Sequence, residues 1–164
     1  MNGILRRAQW LLNHRLSLIP CRPNSKLPAL PWKQYQTIIA NNETYSKWID
    51  RYGSDYNVAI VTGRVSNLVV LDIDSKNYLE SLIDENLSVS TPRGYHVYFK
   101  HPGNIEVRNR ANRETNLDLR GDGGYVIAPP SVVDDKEYKF VGLIDTNDFW
   151  SYVKPLPVWV LSLF

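Results

Sequence analysis

Cysteine is nearly missing from this 164-residue chain, in which Cys21 stands alone. A lone thiol closes no intrachain disulfide and builds no cysteine-based zinc site, which suits a reducing cytoplasm. Long hydrophobic runs are missing too. No stretch approaches the roughly 18 apolar residues of a membrane span, so no membrane partner is expected. The opening MNGILRRAQWLLNHRLSLIPC is faintly like a secretion signal. Asn13, His14 and Arg15 interrupt its apolar part and no small-residue cleavage site follows, so it reads as mature protein. Repeats and low-complexity tracts are absent. Acidic residues are absent from residues 1–42, which carry Arg6, Arg7, Arg15, Arg22, Lys26 and Lys33, although the whole chain holds 19 basic and 17 acidic residues. Such one-sided charge fits a phosphate-bearing partner and equally a solvated helix face.

What is present is an ordinary globular balance, 43% hydrophobic and 22% charged, with five Trp and ten Tyr to fill a core. Ile4, Leu5, Ala8, Leu11 and Leu12 follow helical spacing and predict an amphipathic helix over about residues 3–15. Leu16 to Pro20 reads as a short strand. Pro23, Pro28 and Pro31 forbid regular structure from Arg22 to Trp32. A helix is expected over Thr44 to Arg51. Val58 to Thr62 and Leu68 to Leu71 are β-branched runs bounded by Gly63 and Asp72, and read as buried strands. Tyr78, Leu79, Leu82 and Ile83 suggest a helix. Val97 and Phe99 alternate with His96, Tyr98 and Lys100, the pattern of a half-buried strand. Leu117 and Leu119 alternate with Asp118 and Arg120. Tyr125 to Ile127 follows a glycine-rich turn, and Pro129 and Pro130 end it. Leu156 to Phe164 is an apolar tail that reads as a closing helix or a cut toward a further domain. The pattern is mixed α/β, with strands concentrated in the second half.

Four places carry candidate chemistry. In Val69-Val70-Leu71-Asp72-Ile73-Asp74 the two acids lie two residues apart on a strand. They share a side, about 6.5–7 Å from each other. Their repulsion is relieved by a hard, oxygen-seeking cation, or else the strand simply ends in water. Asp118 is a third acid, opposite in direction to Leu117 and Leu119. On the same side as the first two it would complete a two-metal cage; alone, it reads as a solvent-facing strand residue. Ser90 to His96 offers Arg93 as a planar donor fork for phosphate, Gly94 as a point of close backbone approach, and His96 at the start of a strand. The last place is Gly121-Asp122-Gly123-Gly124. It is either a plain hairpin turn or a loop kept slim beside a nucleotide.

The order of these blocks resembles the bifunctional primase-polymerase N-terminal domain of the archaeo-eukaryotic primase superfamily. The likeness runs through Ile19-Pro20, Lys26-Leu27-Pro28, Trp32 and Ala59-Ile60-Val61-Thr62-Gly63. It continues through Leu71-Asp72-Ile73-Asp74, Thr91-Pro92-Arg93-Gly94-Tyr95-His96, Asp118-Leu119-Arg120-Gly121 and Ala128-Pro129-Pro130-Ser131. The resemblance implies an α/β (α+β) primase-polymerase catalytic fold over residues 1–164. Its RRM-like, strand-rich part (56–164) would pack against a smaller, basic N-terminal α/β part (1–55). It implies a DNA primase or DNA polymerase of the kind found in plasmid, phage and prophage replication. Asp72, Asp74 and Asp118 are then the catalytic ligands of two divalent ions, Mg²⁺ or Mn²⁺. His96, Arg93, Gly94, Arg120 and Lys26 fall at the nucleotide. The implied partners are a single-stranded DNA template, a primer strand and nucleoside triphosphates. A fused or separate helicase or C-terminal primase domain often accompanies such domains, and without it extension is expected to outlast priming. Many members have two glycines before the histidine where this chain has Gly94-Tyr95.

Two other classes remain open to the sequence. A non-catalytic single-strand-binding module would stack bases on exposed Tyr95, Tyr98 and Tyr125. A metal-dependent nuclease would use the same acids to activate water. Arg108, Arg110 and Arg113 suit either a template backbone or a solvated loop. A relaxase fits less well, because His96 has no histidine two residues away.

Overall fold

The computed structural model describes residues 3–74, 79–142 and 147–164. In chain order the helices are α1 (Gly3–Asn13), α2 (Asn42–Tyr52), α3 (Glu80–Glu85) and α4 (Val158–Leu161). The strands are β1 (Ser17–Cys21), β2 (Asn57–Val61), β3 (Leu68–Ile73), β4 (Ser88–Ser90), β5 (Tyr95–Lys100), β6 (Arg110–Asn112), β7 (Leu117–Arg120), β8 (Tyr125–Ile127), β9 (Val132–Val133), β10 (Lys136–Glu137), β11 (Lys139–Phe140) and β12 (Lys154–Pro155). The fold is α+β. Tyr78 of the expected third helix lies outside the described residues.

Helix α1 forms because Ala8 and Leu11 fall on one face and bury it. Helix α2 starts where the Asn41 side chain accepts the Thr44 N–H at 2.8 Å. It stops at Gly53, whose φ of +91° few other residues adopt.

Two sheets carry the architecture. One has three antiparallel strands in the order β1-β2-β8. The other runs β11-β4-β5-β3-β7-β6, with β12 joining β5 in parallel. The N-terminal strand β1 is therefore completed by strands from residues 57–61 and 125–127. The glycine-rich segment after β7 is a crossover from the large sheet to the small one. It is not a hairpin turn, because β7 pairs with β3 and β6 while β8 pairs with β2.

Strand alternation sorts the large sheet into two cores. Val69, Leu71, Ile73, Val97, Phe99, Leu117 and Leu119 pack with α3 and the apolar C-terminal segment. Leu68, Val70 and Tyr98, on the opposite side, pack with residues of α1, β1, β2, β8 and Tyr138. Covering both sides corrects one expectation. β5 is not half-buried: His96 and Tyr98 are 4% and 0% exposed. The second layer over them comes from residues distant in sequence.

Candidate active site

Strand β3 lies between β5 and β7, and the register is the main feature of the site. Asp72 is directly opposite His96 on one neighbour and Asp118 on the other. Residues directly across a ladder project to the same side, so a carboxylate, an imidazole and a second carboxylate form a row across three strands. Arg120, two residues beyond Asp118, faces the same way, opposite Val70. Asp74 follows Asp72 just past the end of β3 and is held there by its N–H to the Asn116 carbonyl at 3.0 Å.

The row emerges from the core into two adjoining clefts. One, of about 430 Å³, is lined by Lys26, Asp72, Asp74, Arg93 and His96. The other, of about 260 Å³, brings Trp32, Asn109, Arg120 and Tyr125 to the same Lys26, Asp72 and His96. Lys26 is far from the acids in sequence. It arrives on the proline-rich loop after β1, whose return is fixed by paired bonds between Pro20 and Ala29 and between Arg22 and Leu27.

Charge is strained at Asp72. Burial, and then the neighbouring Asp74, push its pKa up to about 6 against the pull of Arg120, Lys26 and Arg93. His96 is pushed the other way. Burial first, and then the Lys26 and Arg120 cations, lower it to about 3 against the pull of Asp74. Asp72 Oδ1 and His96 Nε2 are 3.6 Å apart, within ion-pair range but beyond hydrogen-bond length. Since burial keeps the ring neutral, the contact joins a carboxylate to a neutral imidazole and is not an ion pair. His96 Nδ1 is buried with no hydrogen-bond partner, and its ring lies 5.7 Å from that of Tyr138.

The other acids are covered by cations. Arg120 Nη2 donates to Asp118 Oδ2 at 2.6 Å. Arg93 Nη2 lies 3.5 Å from Asp74 Oδ2, with both side chains largely exposed. Among the described residues no three carboxylate, imidazole or thiol groups stand close enough to form a ready metal cage. The donor chemistry fits a divalent cation nonetheless. Asp72 and Asp74 share a cleft, and the charge on Asp74 raises the cost of ionising Asp72. Asp118 is in register beside Asp72, and its counter-charge is the half-exposed Arg120.

Gly94 also has a structural duty in the turn that carries Arg93. A Cβ there would run into the Ile73 carbonyl oxygen, so the glycine lets the 91–94 turn press against the end of β3. Thr91 Oγ1 accepts the N–H groups of Gly94 at 3.0 Å and Arg93 at 3.4 Å. This turn thereby fixes Arg93 beside Asp74.

Several contributors gave no sequence signal of their own. Asp122 accepts from Arg64 N at 2.8 Å, Val107 N at 3.0 Å and the buried His101 ring at 3.1 Å. Burial raises its pKa, but these bonds outweigh that and hold it below the usual carboxylate range. Asn109 adds a bond from the Gly121 N–H at 2.9 Å. Together they fix the glycine-rich crossover against the second cleft. Tyr138 and Asn109 line that cleft too. Tyr98, expected as an exposed stacking ring, is fully buried and unavailable for that. Arg108 pairs with Glu106, and Arg110 donates to the Phe164 carbonyl at 3.2 Å.

No helix among the described residues is long and apolar enough to cross a membrane. No curated protein matches the chain. The family model described as bifunctional DNA primase/polymerase, N-terminal (Prim-Pol), matches residues 8–159.

Proposed function

We propose a function from one premise: the chain belongs to the Prim-Pol family of bifunctional DNA primase/polymerase N-terminal domains. A primase/polymerase-type function follows from that membership. The finer reading is template-directed nucleotidyl transfer at the Asp72 row, in the replication of a plasmid, phage or other mobile element. The observation that carries it is the register: Asp72 flanked by His96 and Asp118, beside Lys26, Arg93 and Arg120.

Asp72, Asp74 and Asp118 would hold two divalent ions, Mg²⁺ or Mn²⁺, which supply the charge that acidifies a primer 3′-hydroxyl and steadies the departing pyrophosphate. Everything else is positioning and electrostatics by the chain itself. Lys26, Arg93 and Arg120 line the two adjoining clefts from three separate elements, so a triphosphate lying across them meets cations on several sides. Arg120 and Arg93 now neutralise Asp118 and Asp74, and are free to turn to phosphate once those acids gain another counter-charge. His96, neutral and buried, offers a ring N–H rather than a positive charge. Gly94 and the Asp122 network hold the two loops rigid, which keeps the cations from drifting. Nucleoside triphosphates, a primer strand and a single-stranded DNA template are the substrates of this reading.

Product analysis tests it against its rivals. With Mn²⁺, nucleotides and a labelled primer on a single-stranded template, the primer should lengthen, and only when nucleotides are present. A nuclease shortens the strand without nucleotides. A pure binding module leaves its length unchanged.

A further inference from the structure

A further cleft is larger than either of the two that hold the acids. About 790 Å³ in volume, it lies between α1 and the β10–β11 segment, with Arg6, Arg7, Trp10, Lys139 and Phe140 among its lining. Tyr138 lines this cleft and also the one containing Asp72 and His96.

Its chemistry is that of an anion site with aromatic walls. The Arg7 guanidinium lies 4.7 Å from the Trp10 ring centre and 5.2 Å from that of Phe140. Burial lowers the pKa of this half-covered cation. A guanidinium that has exchanged water for ring faces retains its planar donors for a phosphate oxygen. Lys139 extends into solvent with its ammonium 3.2 Å from Glu137. Among the described residues the lining therefore carries three cations and one carboxylate. Helix α1 also lies within the stretch of 42 residues that contains no acid.

We propose that this cleft binds single-stranded nucleic acid, with phosphates on Arg6, Arg7 and Lys139 and unstacked bases against the Trp10–Phe140 wall. That the strand is a template being copied rests on the function proposed above; that it binds here does not. A concave site with rings on its wall fits a single strand, whose bases are free to turn outward. A duplex keeps its bases stacked inside a convex cylinder and offers phosphates alone.

The test measures binding of a labelled oligothymidylate of about 15 nucleotides by fluorescence anisotropy over a salt series, in chelator and without nucleotides. The variants are Arg6→Gln/Lys139→Gln, which changes two exposed side chains, and Arg7→Gln, checked for folding by circular dichroism. Lys47→Gln on α2, which removes one cation outside the cleft, is the control. The double variant should bind about tenfold more weakly, and its log–log salt slope should flatten by about 1.4, the share of two phosphates. Lys47→Gln should bind as the native protein does. In extension assays the double variant should lose most at low template concentration and recover as template is raised. An unchanged slope and affinity in the double variant overturns the proposal. So does a loss confined to a duplex of the same length. If the cleft variants lose binding while the native protein synthesises nothing, the cleft stands and the catalytic reading falls. If the native protein extends primers and the double variant matches it at every template concentration, the reverse holds.

Discussion

Asp72 is the residue on which the account turns, and its environment gives it a measurable signature. Its pKa is raised from 3.8 to about 6, by burial first and by Asp74 second. A raised folded-state pKa means that the fold tolerates the protonated acid better than the ionised one. The stability this provides is complete below about pH 3.8 and is lost as pH rises through about 6. Asp72→Asn keeps the shape and removes the titration. In chelator, the native protein should therefore lose stability relative to the variant between about pH 4 and 6, by about 3 kcal/mol. His96 slopes the other way: its stabilising share is present above 6.5 and lost as pH falls toward about 3. Only the difference between native protein and variant isolates Asp72. Urea unfolding of both proteins across this range is the measurement, and a gap that stays constant would put the Asp72 carboxylate in water. The pairing of Asp72 with Asp74 was legible in the sequence, because an apolar β-branched run ending in two acids fixes their common side. The burial of His96 was not. Its neighbours in sequence alternate as a half-exposed strand would, and the layer over it, including Tyr138, arrives from about forty residues away.

At the scale of elements, the site depends on how tightly two loops press against β3 and β7. Gly94 is the sharpest test. Its Cβ position is occupied by the Ile73 carbonyl oxygen, so Gly94→Ala must push the 91–94 turn away from β3 and carry Arg93 from Asp74. It should cost at least about 2 kcal/mol, in the range of a substitution that forces backbone apart. Gly103→Ala is the comparison. Its Cβ meets nothing within 4 Å, and only its φ of +79° opposes a side chain, which costs about 1 kcal/mol. Thermal melting of both variants gives the ranking, and equal losses would mean that the turn is not pressed against β3. Strand positions were readable from alternation, as the burial of Leu117 and Leu119 against the partly open Asp118 and Arg120 bears out. Strand pairing was not readable. The glycine-rich segment looked like a hairpin because two strands flank it, yet those strands belong to different sheets. Nothing local in Gly121 to Gly124 encodes that β7 pairs with β3 and β8 with β2, strands about fifty to sixty-five residues upstream.

For the whole molecule, the arrangement places like charges together and leaves arginines to offset them. A cation taken up by the folded state alone stabilises it by mass action, about 2.7 kcal/mol at one hundred times Kd. For a chain of this size that is a rise of roughly 5–10 °C in Tm. Mn²⁺ should produce such a rise in the native protein, and Asp74→Asn should lose most of it. No rise in either protein would mean that the acids meet only arginine and water. The α+β class was legible from the order of periodic segments, and the family from the order of motif blocks. The interleaving of the two sheets was not, since it depends on β8 returning to β2 across a long separation.

Single-nucleotide incorporation reads the chemistry at Asp72 with the fewest intervening steps. Native protein and Asp72→Asn are mixed with a labelled primer on a single-stranded template, Mn²⁺ and the one complementary nucleotide. Anisotropy in parallel confirms that both proteins bind the template. The native protein should add one nucleotide, while the variant binds equally well and falls by about a hundredfold or more in rate, on the order of losing one electrostatic contact of the transition state. Addition by Asp72→Asn at a near-native rate, or no addition by the native protein on template that it binds, would contradict the account.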